Sequence, residues 1–295
     1  MFAQILFNLI LDTPAEQKFK LKFLFFLRKL LLKSGDSRVV FSFYQKYKIE
    51  ILFSHDLPFN LKEYPLYSQN LGVIANILSK KYPKLKVIDV GANIGDSIAI
   101  IKNQTDVPVL CIEGNPKFLG LLETNSKLFK DIAIEKCFVG EEETIVNPVN
   151  NLGTAYLEKS ETGIAVKTIS AILEKHPDYR EAKLLKIDTD GFDNQIIRGS
   201  KEFLQNSKAS VFFEYDPYFL AKQNENGLAI FDFLVSLNYT KFIIFDNLGE
   251  HLITLGPGQK TQFEELHHYF DRGGSRYMDI WALHHEDEEI FYTAQ

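Results

Sequence analysis

Short apolar segments alternate with amphipathic segments through the last two thirds of this chain. The segments with the composition of strands are, in chain order, KVIDV (86–90), VPVLCIE (107–113), DIAIEKCFVG (131–140), KLLKID (183–188), ASVFFEY (209–215) and YMDIWAL (277–283). Strands that are joined through helices run parallel and are covered by helices on both faces. The pattern therefore predicts a doubly wound α/β domain over residues 86–295, preceded by a helical and irregular extension over residues 1–85.

Composition narrows the class of protein further. The 295 residues are 45% hydrophobic, which is enough for a large core. The net charge of -6 predicts no nucleic-acid partner, because phosphate-binding surfaces need a basic balance. Cys111 and Cys137 lie in apolar segments without the spacing of metal ligands. They are predicted to be reduced core thiols of a cytoplasmic protein, and no metal is predicted.

The first 40 residues are both basic and apolar, with seven Lys or Arg against three acids. We predict one helix over residues 1–35, interrupted by too many charges to cross a bilayer. Such a helix could lie on an anionic membrane surface, and its aromatic residues make a homodimer plausible. The polar residues do not form one clean face, which favours packing on the main domain or on a partner subunit.

The segment VIDVGANIGDS (87–97) places an acid at the end of a strand and two glycines in the turn that follows. Gly91 allows close approach of a ligand, and Gly95 allows tight packing of helix on strand. The spacing is not the GxGxxG of dinucleotide sites. Asp89 would repel a pyrophosphate at the helix N-terminus but would suit a cationic ligand with an amino group. S-adenosylmethionine fits this description, and a nicotinamide-dependent oxidoreductase is the less favoured alternative.

A second acid follows the next strand, since Glu113 lies 24 residues after Asp89. An acid at this place can accept hydrogen bonds from both hydroxyls of a ribose. The carboxyl ends of neighbouring parallel strands meet at one edge, so the two acids are expected to border one nucleoside site. Each acid alone also has a structural explanation, as a turn cap for Asp89 and as a solvated strand end for Glu113.

Four segments together resemble the successive motifs of one enzyme family, the FkbM family of S-adenosylmethionine-dependent methyltransferases. The segments are VIDVGANIGDS, CIEGNPKF, LLKIDTDGFDNQIIRGS and VFFEYDP. The resemblance runs from about Lys86 to Leu283. It implies a Rossmann-like class I sheet of seven mostly parallel strands with an antiparallel last strand. It also implies methyl transfer to oxygen, usually a hydroxyl of a sugar or another natural product.

The resemblance assigns residues to the cofactor as well. It implies that the methionine part is lined by Asp89, Gly91, Asn93 and Gly95, and that Glu113 holds the ribose. We add the neighbours of these residues together with one residue from the third strand and one from the fourth, namely Ala92, Asp96, Ser97, Gly114, Asn115, Val139 and Asp188. Upstream, KEYPLYSQN could fold over the cofactor through Tyr64, Tyr67 and Ser68, or could simply pack on the surface.

Methyl transfer to a hydroxyl requires a protein to align the nucleophile and to accept its proton. In KIDTDG, alternation places Lys186, Asp188 and Asp190 on one side of the fourth strand, where one acid could have a raised pKa and act as the base. Glu214, at the end of the fifth strand, is a fourth catalytic candidate. The alternatives are that Lys186 only pairs with an acid and that Asp190 caps the next helix. The family more often has Glu at the positions of Asp190 and Asp193.

Contacts with the hydroxylated acceptor are predicted from polar residues in loops. Asp216 follows the fifth strand, and Asn151 and Thr154 lie in NPVNNLGT, where turn formation is the alternative explanation. A non-catalytic methyltransferase-like subunit that binds a partner or a membrane is the alternative function.

Overall fold

The computed structural model of the protein describes residues 2–151, 154–159, 162–272 and 276–293, without the side chains of 148–151, 154–159 and 291–293. The described residues up to 85 form four helices and a hairpin. These elements are α1 (Phe2–Asp12), α2 (Lys18–Leu32), β1 (Arg38–Phe43), β2 (Tyr47–Leu52), α3 (Leu57–Glu63) and α4 (Gln69–Lys81). The prediction of one helix over residues 1–35 is wrong. Pro14, which lacks an amide hydrogen and clashes with a preceding turn, lies at the break between α1 and α2.

The chain then enters the main sheet at its centre. The elements up to residue 139 are β3 (Val87–Val90), α5 (Asp96–Gln104), β4 (Val109–Ile112), α6 (Pro116–Ser126), β5 (Ile132–Glu135) and β6 (Phe138–Val139). Every residue of β3 and β4 is buried. Helix α6 begins at a proline, and the side chain of Asn115 caps it by accepting a hydrogen bond from the Lys117 amide at 3.0 Å.

Strand β6 begins a small second sheet. The other strands of this sheet are β7 (Thr144–Asn151), β8 (Thr154–Lys159) and β9 (Ile164–Lys167). The order is β6-β9-β7-β8, and β7 and β8 are antiparallel. Asn151 pairs with Thr154 across β7 and β8, while residues 152–153 lie outside the described residues.

The rest of the chain completes the main sheet. Its elements are α7 (Ile169–Lys175), β10 (Leu184–Ile187), α8 (Asp193–Gly199), α9 (Lys201–Ser207), β11 (Ser210–Tyr215), α10 (Pro217–Lys222), α11 (Ala229–Ser236), β12 (Tyr239–Asp246), β13 (His251–Leu255), α12 (Lys260–Phe270), β14 (Met278–His284) and α13 (Glu288–Thr293).

The main sheet has the order β13-β12-β14-β11-β10-β3-β4-β5. Strands β11, β10, β3, β4 and β5 are parallel, and β14 lies antiparallel between β11 and β12. The expected antiparallel last strand is confirmed. The expected count of seven strands is too low, because β13 adds an eighth. It forms a hairpin with β12, and Asp246 Oδ1 stabilises the turn by accepting from the amides of Leu248 and Glu250, both at 2.9 Å.

Alternation along the strands produces one apolar core on each face of the sheet. Ile88 and Val90 belong to the core on one face, and Val87 belongs to the core on the other. The second core also contains Leu6 and Phe7 of α1, so the N-terminal helices share it with the sheet. The division of the chain at residue 85 stays a prediction.

Strand order reverses at β3. The chain passes from β3 to β4 and β5 on one side and later returns to β10 on the other. In sheets of this kind the loops diverge at such a point and leave a crevice at the carboxyl ends of the strands. Among the described residues, no helix has the length and apolarity needed to cross a bilayer.

Candidate active site

The loop between β3 and α5 forms the floor of this crevice. Gly91 has a φ of +76°, and a Cβ there would lie 2.0 Å from the carbonyl oxygen of Asp188. Its amide donates to the carbonyl of Ile112 at 3.0 Å, which fixes the loop to β4. Asn93 adopts a left-handed conformation with a φ of 48°. Glycine is therefore required where the loop crosses the end of β10.

One cavity opens beside the end of β4, and we call it the β4-side cavity. Its polar residues come from the loops after β3, β4 and β10, and its apolar wall comes from α6, β6 and α8. The lining residues are Val90, Gly91, Asn93, Ile112, Glu113, Gly114, Asn115, Phe118, Cys137, Phe138, Val139, Asp188, Thr189, Asp190, Phe192 and Ile196.

Glu113 is the best-oriented acid of the β4-side cavity. One carboxylate oxygen accepts from the amide of Asn93 at 2.9 Å, and the other accepts from the amide of Asn115 at 2.6 Å. Burial raises the pKa of Glu113, and the two amides oppose that shift. Each oxygen keeps a further lone pair. Glu113 can therefore accept two more hydrogen bonds from a ligand.

Asp89 takes a different position from the predicted one. It is fully buried and does not line the crevice. Its Oδ2 accepts from the Ser97 hydroxyl, and its Oδ1 lies 3.0 Å from Lys186 Nζ. The predicted direct contact between Asp89 and the cofactor is not what this geometry shows. The side chain lies between Lys186 of β10, its neighbour in register, and Ser97 of α5, and so supports the loop from below.

A second cavity lies between β10, β11, β14 and the N-terminal segment, and we call it the β14-side cavity. It meets the β4-side cavity at Gly91, Asn93 and Asp188. The lining residues are His55, Asp56, Leu57, Asn60, Tyr67, Ser68, Leu71, Gly91, Asn93, Asp96, Ser97, Ile100, Lys186, Ile187, Asp188, Phe212, Glu214, Tyr277 and Asp279.

Lys186 is the cation at this junction. Its ammonium group lies 3.5 Å from Asp188 Oδ2 and donates to the Gly91 carbonyl at 3.1 Å. Burial alone would lower the pKa of Lys186, but Asp89 and Asp188 outweigh it and raise the pKa. Lys186 therefore stays charged, and it cannot take up a proton from a substrate.

Several carboxyl groups lie around the Lys186 ammonium group at the junction. Burial raises the pKa of Asp190 to about 6, of Asp193 to about 7 and of Asp279 to about 8, and the charge of Asp188 adds to each shift. Burial and Asp188 also raise the pKa of Glu214 well above its usual range. Glu214 and Asp279 are direct neighbours in register on β11 and β14, and both line the β14-side cavity. A pair of this kind can hold a proton near neutral pH.

The structure brings most of the predicted site residues to the two cavities. Those in the β4-side cavity are Gly91, Asn93, Glu113, Gly114, Asn115, Val139, Asp188 and Asp190. Those in the β14-side cavity are Tyr67, Ser68, Gly91, Asn93, Asp96, Ser97, Lys186, Asp188 and Glu214. Asp190 does not cap a helix. Asp193 instead accepts from the amide of Gly191 at 3.2 Å.

Several predicted residues do not line either cavity. Ala92 and Gly95 are buried in the core side of the loop, and Gly95 packs against Leu122 of α6. Tyr64 also lies outside both linings. Asp216 is buried and caps α10 by accepting from the amides of Tyr218 at 2.9 Å and Phe219 at 3.2 Å. This capping accounts for Asp216 without a substrate.

The predicted acceptor contacts Asn151 and Thr154 have side chains outside the described part of the structure. Their role stays a prediction.

Other lining residues were not predicted. Phe118 and Phe138 form the apolar wall, and Gly114 lets Phe138 approach, since a Cβ there would lie 2.5 Å from its ring. Asp279 could have been found, because it interrupts the apolar strand YMDIWAL as Asp89 interrupts its own. His55 and Asn60 carry no signal in the sequence, since only the tertiary fold brings α3 and the residues before it to the sheet.

Three observations test whether this site fits S-adenosylmethionine. Glu113 retains acceptor capacity for two hydroxyl groups, and Asn93 Oδ1 is buried without a hydrogen-bond partner among the described residues. Such an orphaned acceptor requires a donor, which an amino group supplies. Phe118 and Phe138 offer an apolar wall to a flat base. The residues fit the cofactor.

The fold and this crevice together define a class of protein. A parallel sheet with β14 inserted antiparallel, and with the site at the carboxyl ends of β3, β4 and β10, is that of a Rossmann-like class I methyltransferase. The sequence model of the family described as "Methyltransferase FkbM domain" matches residues 89–241, more than half of the chain. The chain belongs to the FkbM methyltransferase family, whose methyl donor is S-adenosylmethionine.

Solved structures similar to this chain include several that are named methyltransferases. FkbM methyltransferase from Methylobacillus flagellatus is 21% identical, with a TM-score of 0.34 over 50% of this chain and 37% of that one. Precorrin-6y C5,15-methyltransferase from Geobacter metallireducens is 12% identical, with a TM-score of 0.39 over 74% and 90%. An rRNA methylase from Streptococcus thermophilus is 9% identical, with a TM-score of 0.39 over 74% and 94%. The chain thus spans little more than a third of the first of these proteins. No curated protein matches the sequence.

Proposed function

We propose that this methyltransferase acts on a hydroxyl oxygen of a sugar, a glycoconjugate or a related natural product. The observation that carries the proposal is the pair Glu214 and Asp279, which border the β14-side cavity and have raised pKa values. A hydroxyl must lose its proton when it is methylated, and a carboxyl group with a pKa near the working pH is an efficient acceptor.

The cofactor would be held in the β4-side cavity and at its junction. Glu113 would accept from the ribose hydroxyls, Asn93 from the amino group, and Phe118 and Phe138 would pack on the base. When bound, the cofactor supplies an electrophilic methyl group on a cationic sulfur. Asp188 lines both cavities with its side chain 54% exposed, so its carboxylate would be accessible to both ligands.

The acceptor would occupy the β14-side cavity. Carboxylates, phenols and amides bind polyols through directed hydrogen bonds, and this cavity has all three in Asp96, Tyr67, Tyr277 and Asn60. Of the Glu214 and Asp279 pair, the ionised member accepts the proton, while its neutral partner can donate a hydrogen bond to the acceptor oxygen.

The test uses S-adenosylmethionine with a labelled methyl group, a panel of methyl glycosides, and glucosamine as an acceptor with a nitrogen. We expect label in an ether-linked methyl group, and a rate that rises as the pH passes about 8, where Asp279 ionises. Asp279→Asn, which removes the proposed proton acceptor, should lower kcat at least about 100-fold while the Kd for S-adenosylmethionine changes little.

Glu264→Gln, an exposed acid on α12, is the matched control and should behave as the native protein. Label on the glucosamine nitrogen alone would contradict oxygen as the acceptor atom. Tight cofactor binding without transfer to any member of the panel would favour a non-catalytic subunit.

A further inference from the structure

Helix α2 carries a stripe of exposed apolar side chains. Phe19 is 91% exposed, Phe23 58%, Phe26 56% and Leu30 44%. Their spacing of four, three and four residues places them on one face of the helix. Leu24 and Arg28 are buried on another face, so the stripe faces away from the core. Water-exposed aromatic stripes of this length are unusual in monomers and mark contact surfaces.

Helix α1 repeats the pattern. Phe2, Ile5 and Leu9 are exposed at intervals of three and four residues, while its buried residues pack in the core. The two helices contact each other. We call the exposed set the N-terminal apolar surface, which comprises Phe2, Ile5, Leu9, Phe19, Phe23, Phe26 and Leu30.

Lysines flank the stripe of α2 on both sides. Lys18, Lys22, Lys29 and Lys33 follow one another in the neighbouring row, and Lys20 lies beyond the opposite edge of the stripe. All five are exposed, and none forms an ion pair with another described residue. Helix α2 contains no acid, although the whole chain has a net charge of -6.

We propose that the N-terminal apolar surface binds an anionic lipid membrane, with α2 lying in the plane of the interface. Its phenylalanines would enter the boundary between headgroups and acyl chains, and its lysines would contact the anionic headgroups. With 15 residues α2 is about 22 Å long, too short and too charged to span a bilayer.

A second copy of the chain is the less favourable occupant. A two-fold contact through α2 would bring the same lysine rows of both copies to one interface. No acid of α2 would compensate them, and like charges at an interface oppose association. An anionic membrane satisfies both the apolar stripe and the lysines.

Arg28 holds α2 to the body of the enzyme. Its Nε donates to the Phe53 carbonyl at 3.0 Å, and its guanidinium lies 2.8 Å from Asp56. Residues 55–57 line the β14-side cavity, so α2 would bring that cavity close to the membrane. Membrane binding through this surface does not depend on which atom of the acceptor is methylated.

The test is co-sedimentation of the full-length protein with vesicles. We expect the native protein to bind vesicles of phosphatidylcholine mixed with phosphatidylglycerol, to bind pure phosphatidylcholine far more weakly, and to be released by salt. Two triple variants test the surface. One carries Phe19→Ser, Phe23→Ser and Phe26→Ser, and the other carries Lys18→Glu, Lys22→Glu and Lys29→Glu. Each should bind the anionic vesicles at least about tenfold more weakly than the native protein.

Matched controls change exposed residues elsewhere. One control carries Val73→Ser, Leu128→Ser and Leu252→Ser, and the other carries Lys127→Glu, Lys130→Glu and Lys201→Glu. Both should bind the vesicles as the native protein does. All variants should bind S-adenosylmethionine normally, which separates this inference from the enzymatic one. Failure of the native protein to bind anionic vesicles at low salt would overturn it. The inference would also be overturned if sedimentation velocity showed that the native protein is a dimer and that the phenylalanine variant is a monomer.

Discussion

The Glu113 carboxylate is oriented by two backbone amides, which leaves one lone pair of each oxygen directed elsewhere. Its position at the end of β4, beside Gly91 and Asn93, makes it the acid best suited to hold a pair of neighbouring hydroxyls. Its negative charge also matters, because hydrogen bonds to an ionised acceptor are about twice as strong as neutral ones.

Glu113→Gln should therefore weaken cofactor binding. The amide side chain turns one accepting oxygen into a donor that faces a backbone amide, and the charge is lost. We expect the Kd for S-adenosylmethionine to rise at least about tenfold in calorimetric titration, and thermal stability to fall because one backbone amide loses its acceptor. Glu174→Gln, an exposed acid on α7, should leave the Kd unchanged. Equal affinity in both variants would mean that Glu113 does not hold the ribose.

Asp89 and Glu113 show how far the sequence predicts the position and the contacts of a single residue. The sequence predicts that Asp89 and Glu113 lie at the same edge of the sheet, and the parallel pairing of β3 with β4 confirms this. Whether either side chain reaches a ligand depends on its neighbours. The Asp89 carboxylate already contacts Lys186 and Ser97, and the spacing of residues along the chain could not predict these contacts.

At the scale of an element, the β3–α5 loop depends on a glycine that approaches another backbone. Gly91 combines a φ of +76° with a contact that leaves no room for a Cβ. Because the same loop carries Asn93, any shift of Gly91 also moves the amide that orients Glu113.

Gly91→Ala should thus destabilise the protein and impair its site together. We expect the free energy of unfolding to fall by about 2 kcal/mol or more in urea denaturation, and cofactor binding to be lost or severely weakened. Gly258→Ala is the matched control, because Gly258 has open space around it and no positive φ. A Gly91→Ala protein with native affinity would show that the loop tolerates the displacement.

Elements differed in how well their sequences predicted them. The buried strands β3, β4, β10, β11 and β14 were predictable, since each is a short apolar segment between turn residues. Strand β13 exceeds the expected count of seven, because it adds an edge strand to the sheet through its hairpin with β12. The single helix predicted over residues 1–35 is divided into α1 and α2, and Pro14 lies at the break.

At the scale of the whole molecule, the concentration of acids with raised pKa values around Lys186 couples folding to pH. Asp279 has a pKa of about 8 in the folded chain against an ordinary value of 3.8, and burial is the main cause. Below about pH 4 the Asp279 carboxyl is protonated in both the folded and the unfolded chain, so its titration does not lower the free energy of unfolding. As the pH rises to about 8, only the unfolded chain releases the proton readily, and the free energy of unfolding falls.

Asp279→Asn removes this cost. The variant should be more stable than the native protein by at least about 1 kcal/mol near pH 8.5, and the difference should shrink toward about pH 4. Thermal unfolding at the two pH values measures it, with Asp232→Asn on the exposed face of α11 as the control. A stability difference that does not change with pH would contradict the raised pKa of Asp279.

The sequence by itself determined the alternation of strands and helices, the family, and the strand ends that carry polar groups, because these follow from local composition and from order along the chain. Only the tertiary structure decided that Lys186 pairs with Asp89, that Asp279 lies beside Glu214, and that α3 lines the β14-side cavity. It also decided which face of α2 stays exposed. Each of these depends on contacts between residues far apart in the chain, and such contacts are set by packing rather than by spacing.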